Sequence, residues 1–182
     1  MRTYKTEGII LKRTNIGEAD RILTIYSKHL GKIRVLAKGI RKPTSKKSPS
    51  LELFNWVKIL IVPGKSLDLI TEATTVRIFK TLKKDLKKVS LAYHFVELVE
   101  RLTAENVKNR KIFNLLAGGL LGLEKASPAT FRQAISNFEQ KLLEETGFWP
   151  KDKSAKNIDL EAYIERIIER KISSRRIFKD LI

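Results

Sequence analysis

The spacing of apolar residues changes at about Lys80, and this change divides the chain into two kinds of structure. Before Lys80, apolar residues occur in short runs that are rich in β-branched types and are separated by turn residues, which is typical of β-strands. After Lys80 they recur every three or four positions, which is typical of amphipathic helices. The sequence therefore predicts an α+β protein with a β-domain at residues 1–79 and an all-α helical bundle at residues 80–182.

The first half contains five candidate strands, separated by turn signals such as Gly17, Gly31 and Pro63-Gly64. Five short strands without a long helix between them favour a partly open Greek-key barrel of the OB-fold type. An SH3-like barrel would give much the same pattern. The strands are predicted near Thr3–Arg13, Arg21–Ser27, Lys32–Lys38, Phe54–Val62 and Leu67–Ala73.

Alternation of side chains assigns the two faces of the third and fourth strands. The apolar face of the third strand, with Ile33, Val35 and Ala37, is assigned to the barrel core. The apolar face of the fourth strand is assigned there too, with Val57, Ile59 and Ile61. The opposite faces carry Lys32, Arg34, Leu36 and Lys38 on one strand, and Phe54, Trp56 and Lys58 on the other.

The stretch Arg21–Leu51 carries nine basic residues and no Asp or Glu, within a chain of net charge +17. A one-signed run of this length raises the local electrostatic potential and attracts polyanions. A solvated face with no ligand is the alternative, but here the charge lies on predicted strands and their connecting loop. The pattern favours nucleic-acid binding.

Arg41–Ser50 reads RKPTSKKSPS and is predicted to be an extended, mobile basic loop. It is interpreted either as a finger that closes over a nucleic-acid backbone or as a plain surface loop. Trp56 beside Lys58 suggests base stacking with phosphate contacts, although Phe54 and Trp56 packing under the second domain is an equal alternative. Tyr26 has the same two interpretations. The candidate interface comprises Lys12, Arg13, Arg21, Lys32, Arg34, Lys38, Arg41, Lys42, Lys46, Lys47, Trp56 and Lys58.

The second half is predicted to contain five helices. Ser90 is a candidate N-cap, Ser127-Pro128 is a start signal and Asp159 is a second candidate cap. Phe148 and Trp149 are expected to plug the bundle. The helices are predicted from Ser90 to about Leu102, Arg110–Lys125, from Pro128 to about Thr146, from Asp159 to Ile172 and from Arg175 to Leu181. Basic residues near the C-terminus, Arg166, Arg170, Lys171, Arg175 and Arg176, are expected to pair with nearby glutamates.

The residues that most enzymes need are scarce in this sequence. There is no cysteine, and His29 and His94 are the only histidines. No phosphate-binding loop, nucleophile elbow or zinc-protease motif is present, and the glycines at 118, 119 and 122 lack dinucleotide-binding spacing. We therefore expect a non-enzyme without metal or cofactor. No secretory signal or membrane span is recognisable, so a cytoplasmic protein is expected.

The first half contains four distinctive motifs: Gly8-Ile9-Ile10-Leu11, Gly17-Glu18-Ala19-Asp20-Arg21, Gly31-Lys32-Ile33, and Ala37-Lys38-Gly39 followed by Arg41-Lys42 and Ser45. Together they resemble the N-terminal signature of the bacterial RecO family. In the second half, Leu142–Pro150 and Ser174-Arg175-Arg176 are similar to the end of the family's helical core and to its C-terminal helix. Many family members carry a four-cysteine zinc module after the position of Pro150, so the resemblance implies a shortened, zinc-free version here.

The resemblance implies an OB fold, binding of single- and double-stranded DNA, and annealing of complementary strands. It also implies work with RecR to load RecA onto SSB-coated DNA, and an SSB contact in the helical domain. Our first hypothesis is a nucleoid-associated DNA-annealing protein whose cations neutralise phosphates on two strands. The alternatives are an RNA-binding or ribosome-associated OB protein, and a metal-dependent nuclease.

Overall fold

The computed structural model describes residues 3–151, 153, 155–156 and 158–174. Five strands come first: β1 Tyr4–Ile16, β2 Asp20–Ser27, β3 Gly31–Ala37, β4 Trp56–Val62 and β5 Asp68–Arg77. They are followed by the helices α1 Lys80–Lys83, α2 Leu86–Leu102, α3 Arg110–Lys125, the 3-10 turn Pro128–Thr130, α4 Phe131–Thr146 and α5 Leu160–Ile168. All five predicted strands and the α+β class are confirmed.

The strands form a closed barrel in the order β1-β2-β3-β5-β4, with β4 returning to β1. Every pairing is antiparallel except that of β3 with β5, which is parallel and consists of Val35 with Asp68 and Leu36 with Leu69. This short seam closes the barrel, and the five-stranded arrangement is the predicted OB-fold type.

The barrel core contains the side chains that alternation assigned to it. Ile33, Val35 and Ala37 of β3 are 5%, 1% and 0% exposed, and Val57, Ile59 and Ile61 of β4 are equally buried. Full burial of one such aliphatic side chain contributes about 1.5–3 kcal/mol. The period-2 pattern therefore predicts the inner face correctly.

The chain divides into two compact units. The barrel unit consists of the chain up to Ile78 together with Ala104–Phe113, and the helical unit consists of Phe79–Thr103 and the chain from Asn114 onward. We call Ala104–Phe113 the cover segment. It lies against β3, where Lys32 and Glu105 form a parallel bridge and the Asn106 N–H donates to the Lys32 carbonyl at 2.8 Å.

The close approach of the cover segment requires a glycine at the first position of β3. Gly31 has φ +74°, and a Cβ atom there would overlap the carbonyl of Val107. Only glycine combines a left-handed conformation with this absence of a side chain at no steric cost. Gly31 therefore fixes where the cover segment meets the barrel.

The helical unit is built around two stacked aromatic rings. The Phe95 ring of α2 and the Phe138 ring of α4 are parallel, with their centroids 3.8 Å apart. Gly119 of α3 lies close to both rings, so that a Cβ there would be 3.1 Å from each. A larger residue at this position would force the rings apart.

Several helix ends differ from their predictions. The prediction of Ser90 as an N-cap was wrong, because α2 begins one turn earlier, where the Asp85 carboxylate accepts from the N–H groups of Lys87 and Lys88. Asp159 caps α5 as predicted, but α5 ends at Ile168 rather than Ile172 because Glu169 adopts a left-handed conformation. The predicted helix Arg175–Leu181 lies outside the described residues.

The predicted aromatic plug is half confirmed. Trp149 is 8% exposed, packs edge-on against Tyr163 and donates to the Lys153 carbonyl at 2.7 Å. Phe148 is 42% exposed and does not plug the unit.

Of the expected C-terminal ion pairs, Lys171 pairs with Glu165 at 2.7 Å. Among the described residues, no helix has the length and apolar character needed to cross a membrane.

Candidate nucleic-acid interface

The loop between β3 and β4, residues 38–55, is compact and ordered by its own hydrogen bonds. The Ser45 N–H donates to the Lys42 carbonyl at 2.9 Å, and the Leu51 N–H donates to the Lys47 carbonyl at 3.2 Å. The side chains of Ile40 and Leu51 are 1% and 0% exposed and belong to the barrel core. The prediction that the loop is extended was therefore wrong, because it folds into hydrogen-bonded turns between two buried apolar residues. Its predicted mobility stays a prediction. We call residues 38–55 the basic loop.

The basic loop is also tied to its neighbours. The Arg41 N–H donates to the Ala19 carbonyl at 2.9 Å, and the Gly39 N–H donates to the Asp20 carboxylate at 2.7 Å. Near the end of the loop, the buried Asn55 amide donates to the carbonyls of Pro49 and Ser50. The bonds to Ala19 and Asp20 hold the loop against the β1–β2 turn and the start of β2, at what we call the loop end of the barrel, and the Asn55 bonds hold the end of the loop to its middle.

The basic loop carries a cluster of cations, of which all but the half-buried Lys47 are exposed. We call them the loop cations: Lys38, Arg41, Lys42, Lys46 and Lys47. Within the described part of the chain, no carboxylate pairs with Lys38, Lys42 or Lys46. The other two cations also hold the loop in place. Arg41 donates to the Gly17 carbonyl at 3.1 Å, and Lys47 donates to the Ile70 carbonyl at 2.9 Å. Both contacts are to neutral groups, so the positive charge of the cluster is retained.

The strand register brings two further candidates together on the outer face of the barrel. Lys12 of β1 pairs with Thr24 of β2, which in turn pairs with Arg34 of β3, so the three residues form one row. Neighbouring strands are about 4.8 Å apart, so the Cα atoms of Lys12 and Arg34 are about 10 Å apart. Arg34 pairs with Glu105 of the cover segment at 3.9 Å, with both side chains about half exposed. An exposed pair of this kind is weak.

Arg13 and Arg21 share one carboxylate. Both guanidinium groups pair with Glu52, and Arg21 also donates to the Asn15 side chain at 2.9 Å. Glu52 follows the acid-free stretch directly in sequence, which is the signal that could have indicated this neutralisation. These arginines therefore contribute less net charge than the loop cations do.

The cover segment covers the outer face of the barrel near the start of β3, on the same face as Lys12 and Arg34. Tyr26 is 1% exposed and its hydroxyl donates to the Asn109 carbonyl at 3.3 Å, while burial raises its pKa to about 12. Lys32 is 9% exposed under the bridge to Glu105. The predicted side-chain alternation is correct here, but the face is covered by protein and Lys32 has a structural position.

Trp56 lies in the barrel unit, where both its ring and its indole N–H already have protein partners. Its ring meets Phe113 edge-on with centroids 5.3 Å apart, and its N–H points to the Glu7 carboxylate at 3.3 Å. Phe54 is 3% exposed. Trp56 therefore packs against the cover segment within the barrel unit, and Phe54 is buried, so neither ring is an open stacking surface.

Lys58 is separated from the loop cations. The register places it between Glu7 of β1 and Thr74 of β5, on an outward face that also carries Glu72. The structure thus divides the candidates into the loop cations, the row of Lys12 and Arg34, the pair that shares Glu52, and three residues placed elsewhere: Lys32, Trp56 and Lys58.

The helical unit has its own surface feature, a groove of about 640 Å³ between α3 and α4. Phe95, Leu115, Leu123 and Phe138 line it, and Gly118 and Gly122 leave its floor open because nothing lies within 4 Å of a Cβ built at either. The cations along it are Lys125 and Lys141, and the amides are Asn114, Gln133 and Asn137. An apolar floor with a cationic rim fits a peptide that carries both apolar and acidic side chains.

His94 is fully buried, as expected of a structural histidine. Its Nε2 lies 2.8 Å from the Glu139 carboxylate, and its Nδ1 lies 3.2 Å from the Ser174 hydroxyl. The neighbouring Glu97 carboxylate accepts from the Ser173 and Ser174 N–H groups. Burial acts to raise the pKa of Glu97, but these hydrogen bonds and Arg101 together hold it below its ordinary value.

Comparison with known proteins identifies relatives of both halves of the chain. Residues 1–79 match the family described as "Recombination protein O N terminal", and residues 83–153 match "Recombination protein O C terminal". The DNA repair protein RecO of Roseiflexus sp. (strain RS-1) is 36% identical over 149 residues, covering 82% of this chain and 52% of the relative.

Two further relatives agree. The DNA repair protein RecO of Alkaliphilus metalliredigens is 36% identical over 146 residues, covering 80% of this chain and 59% of the relative. That of Pelotomaculum thermopropionicum is 34% identical over 150 residues, covering 82% and 57%. The chain spans between about half and three fifths of the length of these relatives. With both family descriptions matched along one chain, the protein belongs to the RecO family.

Proposed function

We propose that this chain acts in recombinational DNA repair by binding single- and double-stranded DNA through the loop end of the barrel. The observation that carries the proposal is the exposure of Lys38, Lys42 and Lys46, without carboxylate partners among the described residues, on a loop anchored by Ile40 and Leu51. Pre-ordered cations bind a polyanion without a further loss of loop entropy. Membership of the RecO family supports DNA as the polyanion.

The proposed mechanism is electrostatic. Cations that neutralise phosphates on two strands lower the repulsion between the strands, so that complementary bases can meet and anneal. Each phosphate contact on single-stranded DNA releases counterions and contributes about −0.7 to the slope of log affinity against log salt concentration. Such a mechanism uses charge and position alone and requires no catalytic group.

Protein partners are a separate part of the proposal. The family resemblance implies work with RecR and SSB to load RecA, and an SSB contact in the helical domain. The groove between α3 and α4 is a candidate for this contact, because its apolar floor and its two lysines fit an acidic and apolar peptide segment. We therefore propose the groove as the SSB contact. The chain would act on chromosomal DNA in the cytoplasm.

Strand annealing tests the DNA-binding part of the proposal. The variant Lys38→Glu, Lys42→Glu, Lys46→Glu reverses the unpartnered loop cations but leaves the anchoring contacts of Arg41 and Lys47 in place. A matched control is Lys65→Glu, Lys80→Glu, Lys84→Glu, which makes the same charge change at exposed lysines outside the candidate interface. Annealing of complementary oligonucleotides should be lost in the loop variant and retained in the control.

Two further outcomes would replace the proposal. Preference for structured RNA over DNA in competition would favour the RNA-binding alternative, and metal-dependent cleavage of a labelled oligonucleotide would favour a nuclease.

The groove is tested by Gly118→Leu, which fills open space at an exposed helix position and should weaken SSB binding. DNA binding should be unchanged in that variant, because the groove lies in the helical unit.

A further inference from the structure

The opposite end of the barrel from the basic loop carries a pocket of about 390 Å³. It lies between the start of β1, the β2–β3 turn and the cover segment. Lys5, His29 and Lys108 provide its charged and titratable groups, Asn106 provides an amide, and Leu30 and Ile33 provide apolar surface. We call this the turn-end pocket.

The turn-end pocket is positively charged and is not neutralised. Lys5, His29 and Lys108 are exposed, and in the described part of the chain their side chains form no ion pair or hydrogen bond. Among the described residues, no carboxylate lines the pocket. The acids nearest in sequence to its lining residues have partners, since Glu7 pairs with Lys28 at 3.5 Å and Glu105 pairs with Arg34 at 3.9 Å. Asp68 accepts from the Tyr4 hydroxyl at 2.7 Å.

The wall of the pocket formed by the cover segment is fixed in place. Asn106 adopts φ +60°, an uncommon conformation for a residue other than glycine, while its N–H donates to Lys32. The adjacent Val107 carbonyl is in contact with Gly31. Residues held in sparsely populated conformations cluster at binding sites, where the surrounding structure maintains them. The Asn106 amide is thereby presented to the pocket without a partner among the described side chains.

The polar groups that remain available in the pocket can all donate hydrogen bonds. Tyr4 and Thr6 also line it, but the Tyr4 hydroxyl donates to Asp68 and the Thr6 hydroxyl bonds with Ser27 at 2.6 Å. Lys5, Lys108 and the Asn106 amide can each donate to an oxygen, and charge-assisted donors are the stronger kind. A set of donors with two fixed positive charges fits a phosphate group better than any neutral or cationic ligand.

We propose that the turn-end pocket binds a phosphate group of a nucleic-acid strand, as a second anion site on the barrel. The seven residues of β3 run from this end toward the loop end and span about 20 Å, so one phosphate cannot contact both sites. The identification of the phosphate as part of a nucleic acid rests on the proposed function. The phosphate-binding chemistry of the pocket does not.

NMR titration of the full chain tests this proposal, first with inorganic phosphate. Saturable shifts are expected at the Asn106 side-chain amide and the His29 ring. Lys5→Glu, Lys108→Glu should lower phosphate affinity about tenfold or more, because two charge-assisted contacts are lost. Lys65→Glu, Lys84→Glu is the matched control, with the same charge change at exposed lysines outside the pocket. Asn106→Gly, which retains the left-handed conformation, should lower affinity severalfold.

Two oligonucleotides of one sequence, with and without a 5′-phosphate, then identify the source of the phosphate. Shifts in the pocket with only the phosphorylated strand assign a terminal phosphate, and shifts with both assign an internal phosphodiester. The site would be overturned if inorganic phosphate caused no saturable shifts, or if it shifted the Lys5→Glu, Lys108→Glu variant as much as the unmodified chain. Shifts with inorganic phosphate but with neither oligonucleotide would overturn the nucleic-acid role of the site. If the pocket bound no phosphate but Lys38→Glu, Lys42→Glu, Lys46→Glu still lost oligonucleotide binding, the proposed function would stand without the pocket.

Discussion

Two regions of the same barrel carry cations from the same acid-free stretch, yet the structure places them in opposite environments. At the loop end, Lys38, Lys42 and Lys46 are exposed on a loop whose apolar residues are buried. On the outer face of β3, Lys32 is 9% exposed because the cover segment lies over it. A run of like charges in sequence therefore indicates that a cationic surface exists, but a distant segment of chain decides which cations are part of it.

The largest effect is expected where the cover segment meets the barrel. Gly31→Ala introduces a methyl group that overlaps the Val107 carbonyl and strains a left-handed residue. We expect the free energy of unfolding to fall by more than about 3 kcal/mol. Gly17→Ala is the control at the loop end, since Gly17 has φ +52° but no atom within 4 Å, and it should cost about 1 kcal/mol. Equal losses in denaturant titrations would show that the cover segment does not constrain the barrel.

A smaller effect is expected from ionisation under the cover segment. Burial raises the pKa of Tyr26 to about 12, so the folded state keeps its proton at a pH where the unfolded state loses it. The stability that depends on the neutral hydroxyl is complete below pH about 10 and falls by up to about 1.4 kcal/mol per pH unit between about 10 and 12. Tyr26→Phe should make alkaline unfolding less steep. An identical pH profile in the variant would contradict the burial of Tyr26.

The smallest effect concerns the boundary between the two regions, where Arg34 pairs with Glu105 at 3.9 Å and both side chains are about half exposed. Glu105→Gln should change the free energy of unfolding by less than about 0.5 kcal/mol. Because Arg34 would then be unneutralised, affinity for single-stranded DNA should rise about twofold. A fluorescence-anisotropy titration checks this result. A loss of affinity would place Arg34 outside the DNA-binding surface.

The barrel itself is predictable from the sequence, because its strands alternate. Ile33, Val35 and Ala37 show a period of two with β-branched residues, and that pattern holds only for a sheet with one buried face. The basic loop was harder to predict, because its polar and proline-rich middle masks Ile40 and Leu51, which bracket it and are both buried. Reading those two residues as anchors would have predicted an ordered loop.

The cover segment could not be predicted from local sequence. Ala104–Phe113 lies between two helices and has no alternating pattern, and its bridge between Lys32 and Glu105 joins residues far apart in the chain. The turn-end pocket depends on the same contact, since Asn106 and Lys108 come from this segment and Lys5 and His29 from the barrel. Surfaces assembled from distant segments follow from tertiary packing and not from spacing in sequence.

The salt dependence of single-stranded DNA affinity tests the central claim most directly, through a comparison of the unmodified chain with Lys38→Glu, Lys42→Glu, Lys46→Glu. If the loop cations contact phosphates, the log–log slope of affinity against salt should become less steep by about 2 in the variant, about 0.7 for each lost contact. The control Lys65→Glu, Lys80→Glu, Lys84→Glu should keep the original slope. An unchanged slope in the loop variant, or an equal change in the control, would contradict the account.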